Sequence, residues 1–118
     1  MNLAEWPNWL KTFLLLLCSN CFMTAAWYGH LRFKALTIPT AILFSWLLAL
    51  PEYALQVPAN RIGYNDLSAY QLKIMQESIT LVVFIIFAWL FLGETPTWRY
   101  LVSMGLIFLA VAVAFQKP

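Results

Sequence analysis

Residues 67–94 read LSAYQLKIMQESITLVVFIIFAWLFLGE, and the last half of that stretch is almost purely apolar. A surface of that kind belongs in hydrocarbon, where a segment must satisfy its backbone polar groups internally, as a helix does. The first half carries Gln71, Lys73, Gln76, Glu77 and Thr80. Lys73, Gln76, Glu77 and Thr80 follow 3- and 4-residue spacing, which puts them in one stripe on one helix face. A polar stripe inside a membrane is expected to look into a protein interior or a wet cavity. Such a helix needs others around it.

The rest of the chain supplies them. Charged residues make up 10% of the 118 and apolar ones 63%, whereas a soluble domain carries about a quarter charged. The apolar runs are continuous rather than alternating, which points to membrane helices and away from a barrel. The expected fold is all-α and polytopic. Its four transmembrane helices lie at about 9–28, 38–57, 69–92 and 98–115, in a single domain over 1–118. A net charge of +2 on scattered basic residues leaves no nucleic-acid footprint. Cys18 and Cys21 both lie within an apolar helix, so no disulfide framework is expected. The start, MNLAEWPNW, has neither a positive n-region nor a small-residue cleavage site and reads as retained.

The first span has aromatic residues at both ends, Trp6 and Trp9 against Trp27 and Tyr28, and an unusually polar middle. Asn20, Thr24 and Tyr28 share a face by 4-residue spacing. In the second span Thr37 reads as the N-cap and Pro39 suits a first helical turn. The apolar run from Ala41 to Leu50 is too short to cross a bilayer. The helix is therefore expected to continue through Pro51 to about residue 57, kinked at the proline. Glu52 and Gln56 then enter the membrane, Glu52 on the order of 8 Å below the interface. Residues 58–66 (PANRIGYND) read as a loop. Ser68 and Gln71 form a capping box, which starts the third helix near Ala69 and places Glu77 on the order of 12 Å deep. Glu52 and Glu77 are thus expected at matching depth, with Asn20 slightly deeper. Gly93 stands where a C-cap belongs, and Pro96 precedes the fourth span. That span has no ionisable group beyond Arg99 at its mouth. Gly105 and Ala112 lie on one small-residue face, expected to pack or to form a dimer.

Four spans put both termini on one side, with Lys11, Arg61, Lys73 and Lys117 facing it and Arg32, Lys34 and Arg99 facing the other. Four against three is too small an excess to fix orientation by the positive-inside rule. Insertion both ways is allowed, and an antiparallel homodimer around a midplane site is slightly favoured over a parallel dimer or a heteromer.

The third span ending in Leu92-Gly93-Glu94, and the fourth with Gly105-Leu106-Ile107 and small residues beyond, resemble the drug/metabolite transporter superfamily. Three further stretches, FMTAAWYGH at 22–30, EYALQVPANRIGY at 52–64 and QLKIMQE at 71–77, are similar to a four-helix bacterial branch of it. The superfamily includes the small multidrug resistance proteins, four-helix antiparallel dimers that export cations in exchange for protons. The resemblance implies a transporter in the bacterial inner membrane. It departs at one point: those proteins carry a carboxylate in the middle of the first helix, and here the central polar residue is Asn20. A proton-coupled mechanism would have to take its carboxylate from Glu52 or Glu77.

Each candidate has a plain reading beside the functional one. Glu52 either ends the helix among headgroups or, at depth, exchanges a proton for a cation. Glu77 either serves in the same way or pairs with Lys73 one turn earlier. Asn20 either lines the site or hydrogen-bonds a neighbouring helix. Gln56, Lys73 and Tyr53 join the candidate solute site. Tyr53, Trp27, Tyr28, Trp46 and Trp89 either cage a cation through their ring faces or form lipid-facing belts. The Cys18-x-x-Cys21 spacing has no histidine partner nearby, so neither a metal nor another cofactor is expected, and no enzyme constellation is visible. The expected function is transport of a small organic, cationic solute by proton-coupled alternating access. The alternative is a non-transporting membrane subunit whose polar stripe binds a partner chain.

Overall fold

The computed structural model describes residues 5–116. Residues 1–4, part of the start expected to be retained, and residues 117–118, with the Lys117 counted in the charge balance, lie outside the described residues.

Four α-helices run through the described residues. Helix α1 is Asn8–Tyr28 and passes into a short 3-10 turn, Gly29–Arg32. Helix α2 is Ile38–Gly63, α3 is Ala69–Phe87 and continues as a π-helical turn through Ala88–Leu92, and α4 is Trp98–Ala114. The first three are long and apolar enough to cross a membrane, and α4 is a shorter apolar helix. At the helical rise, α2 is about 39 Å long and α4 about 25 Å. The chief packing is α1 on α2, with α3 against α1 and α4 against α3.

The termini of these helices follow from local chemistry. The Thr37 hydroxyl accepts from the Thr40 N–H and caps α2, with a proline in the first turn. Ser68 and Gln71 form the reciprocal capping box of α3, at 3.1 Å in each direction. Gly93 ends α3 in the left-handed region at φ 74°, where a side chain would crowd the backbone. The Gly93 and Glu94 N–H groups both donate to the Ala88 carbonyl. Beyond α1, the Arg32 guanidinium lies 4.7 Å from the Phe91 ring centre, tying the first connection to the π-helical end of α3.

Helix α2 runs through Pro51, as its length requires, and it also runs through Pro58. The loop expected at 58–66 is corrected to about five residues after Gly63. Each proline deletes one backbone bond, but breaking the helix in hydrocarbon would strand several polar groups, so continuing costs less. The extra turns are tied to α1. The Thr12 hydroxyl donates to the Ala59 carbonyl at 3.1 Å. A Cβ on buried Gly63 would stand 2.6 Å from Leu72 and 2.8 Å from Thr12. Only glycine lets α1, α2 and α3 come together there.

Helix α1 is polar inside and apolar outside. Thr12, Ser19, Asn20 and Thr24 are buried along one face together with Leu16 and Ala26, while Phe13, Leu14, Cys18 and Phe22 face outward. The expected single stripe on α3 is also corrected. Its polar residues divide between two faces, Gln76 inward and Lys73 and Glu77 outward. A separation of 3 or 4 residues turns the helix by about 60° one way or 40° the other, enough to split the row between an interior and a surface.

Candidate functional site

The interior of the three long helices holds a layer of polar side chains. Asn20 lies near the middle of α1, fully buried. Its amide donates to the Leu16 carbonyl at 2.7 Å, and its carbonyl oxygen accepts a short bond from the Thr80 hydroxyl of α3. Ser19, beside it, faces α2. Its hydroxyl has the Glu52 carbonyl at 3.2 Å, Gln56 Oε1 at 3.3 Å and Glu52 Oε1 at 3.5 Å. One hydroxyl proton serves one acceptor well at a time, so the Glu52 carboxyl is held by a single long, shared bond.

The longer α2 moves Glu52 inward. It now stands eleven residues before Gly63 and fourteen after Ile38, about 16 and 21 Å along the axis. That is deeper than the 8 Å expected from a helix ending at 57, and Glu52 is only 8% exposed. Gln56, one turn on, donates through Nε2 to Gln76 Oε1 of α3 at 3.0 Å. Ser19 joins α1 to α2, Gln56 joins α2 to α3, and Asn20 with Thr80 joins α1 to α3. The three helices are thus bonded pairwise around Glu52.

The remaining candidates lie apart from this layer. Glu77 and Lys73 are exposed to 52% and 68% and paired with each other at 2.8 Å. Glu77 does not meet Glu52 within the chain. Tyr53, Trp27, Trp46 and Trp89 point outward, and Tyr28 packs edge-on against Phe84 at 4.7 Å. Gly105 and Ala112 are exposed on α4, with open space before Gly105. Among the described residues no three of His, Cys, Asp and Glu come together as metal ligands.

Three residues of this site were not among the candidates: Ser19, Gln76 and Thr80. Gln76 sat in the α3 stripe without a role of its own. The 4-residue step from Asn20 to Thr24 also continues backwards to Leu16 and Thr12, with Ser19 beside it, and that fuller row would have marked the inner face of α1.

Residues 12–115 match a family model described as "Putative member of DMT superfamily (DUF486)". The chain belongs to this family, DMT_6. Searches of the curated proteins and of the solved structures returned no match. The family covers all four helices, so the polar layer and both its α2 and α3 partners lie inside the matched region. DMT_6 membership and three spanning helices make this a multi-pass membrane protein. Membership in the superfamily suggests a transporter-type role.

Proposed function

We propose that this DMT_6 protein moves a small organic solute across the bacterial inner membrane by alternating access, with Glu52 holding a proton and a cationic solute in turn. The observation that carries the reading is a buried carboxyl group with no cation beside it. The single ion pair among the described residues, Lys73 with Glu77, is on the outside of α3. A buried carboxylate without a counter-charge is costly. Its loose bond to Ser19 leaves Glu52 free to bind a proton or a cationic group, and binding both at once is disfavoured. That exclusion is what couples two fluxes.

The polar layer gives the site its frame. Asn20 with Thr80, and Gln56 with Gln76, hold α3 in register against α1 and α2 through neutral hydrogen bonds. Such bonds contribute little each, on the order of 0.6 kcal/mol in membrane proteins, so they can be exchanged as helices shift. A homodimer, antiparallel or parallel, encloses the cavity in this reading, with α4 and its Gly105 and Ala112 face available as the contact.

The test is uptake into proteoliposomes under an imposed pH gradient, with a panel of small quaternary ammonium cations. The expected result is accumulation of at least one cation that collapses when the gradient is removed. Glu52→Gln should lower it by more than tenfold, while Glu77→Gln leaves most of it. No driven uptake of any cation, or unchanged uptake and pH response in both variants, would refute the proposal.

A further inference from the structure

At the end of the bundle where α1 begins and α4 ends, the last turn of α2 and the first two turns of α3 leave an open cleft of about 500 Å³. Asn60 and Arg61 line it from α2, Tyr64 from the cap that follows, and Lys73 and Gln76 from α3. Gln76 is the informative member. It is 91% buried (9% exposed), and its Oε1 is used by Gln56. Its Nε2 is not among the fully buried unpaired atoms of the described residues, and Gln76 lines the cleft. With Oε1 already used, the free end of this amide at the cleft floor is an N–H₂ donor for whatever enters.

The other polar groups agree with it in sign. Arg61 brings a guanidinium and Lys73 an ammonium, both donors only, and Tyr64 and Asn60 can each donate as well. Among the described residues no carboxylate lines the cleft. Glu77, on the same helix, bonds Lys73 from outside the lining. Donors alone, two of them cationic, select an oxyanion, and Arg61 presents the fork that fits phosphate or carboxylate with two bonds. The depth also fits. Arg61 lies two residues from the end of α2, at the level of headgroups, and Gln76 seven residues, about 10 Å, into α3.

We infer that this cleft is a binding site for a phosphate-type oxyanion, seated between Arg61 and Lys73 and bonded at its floor by Gln76. The inference does not depend on proton coupling at Glu52. Two sources share the chemistry, the headgroup of an anionic lipid and a free anion in water, and basic clefts between membrane helices bind the former in other proteins.

The test is native mass spectrometry of the detergent-purified protein with phosphatidylglycerol or phosphatidylcholine added, in the presence and absence of inorganic phosphate. The expected result is retention of phosphatidylglycerol over phosphatidylcholine, lost by at least fivefold in Arg61→Gln/Lys73→Gln. Both residues are exposed, so the variant should fold, and Arg99→Gln serves as the control that changes nothing. Competition by millimolar inorganic phosphate would assign the site to a free anion, and no competition would assign it to the lipid. Glu77→Gln, which frees Lys73 from its pair, should tighten binding by about two- to fivefold. Equal retention of the two lipids with no phosphate binding, or anion binding that survives the double substitution, would overturn the inference.

Discussion

At the scale of single residues, Gly63 and Asn20 show two ways in which this sequence holds membrane helices together. Gly63 works by lacking a side chain. A methyl group there would overlap Thr12 and Leu72 at under 3 Å, and Thr12 is β-branched and cannot swing away cheaply. Gly63→Ala should destabilise the bundle by about 1–3 kcal/mol, read as a lower thermal midpoint in detergent. Adding Thr12→Ala should return part of that loss, because the two changes meet in one contact. Asn20 works by bonding. Replacing it with Leu and Thr80 with Val should give a coupling of about 0.6 kcal/mol in a double-mutant cycle. A coupling of zero would mean that the Asn20–Thr80 bond does not form in the membrane. Glu52 was legible in the sequence because the length of an apolar run forced the helix past Pro51. Ser19 was not, because a serine in an apolar helix gives no sign of which neighbour its hydroxyl meets.

At the scale of helices, the legible features were the local ones. The Ser68–Gln71 capping box and the Gly93 cap depend on residues within one turn of each other, and both stand in the structure as read. Ser68→Ala should cost about 1 kcal/mol, and Gly93→Ala, forced to φ 74°, a similar amount. Thermal melts of the two variants check these values, and an unchanged midpoint in Gly93→Ala would show that the α3 end relaxes. The end of α2 was not legible. Pro58 with Asn60, Gly63 and Asn65 carries every local sign of a loop. The helix continues because Thr12 and a close approach at Gly63 tie it to α1, and tertiary contacts of that kind leave no local mark. The α3 stripe failed for a related reason. Spacing names the residues that lie near one another on a helix, but not where the boundary between interior and surface falls across them.

At the scale of the whole molecule, helix α4 is the element least enclosed by the others. Helix α4 has no buried residue and packs chiefly on α3, so most of its surface faces outward in the single chain. In the dimer proposed here, Ala112→Leu should weaken self-association, read as a shift towards monomer in mild detergent. The near balance of basic residues predicts activity from two C-terminal reporters, one active only inside the cell and one only outside. Activity of one alone would remove the antiparallel form and leave a parallel dimer or an oppositely oriented partner. All of these arrangements place the same demand on Glu52: a carboxyl group that takes up and releases a proton inside the bundle. Labelling with a membrane-permeant carbodiimide, read by mass spectrometry of the peptides carrying Glu52 and Glu77, tests that demand most directly. The account predicts modification at Glu52, none at the paired and exposed Glu77, and loss of the adduct in Glu52→Gln. Modification of Glu77 with Glu52 untouched would contradict it.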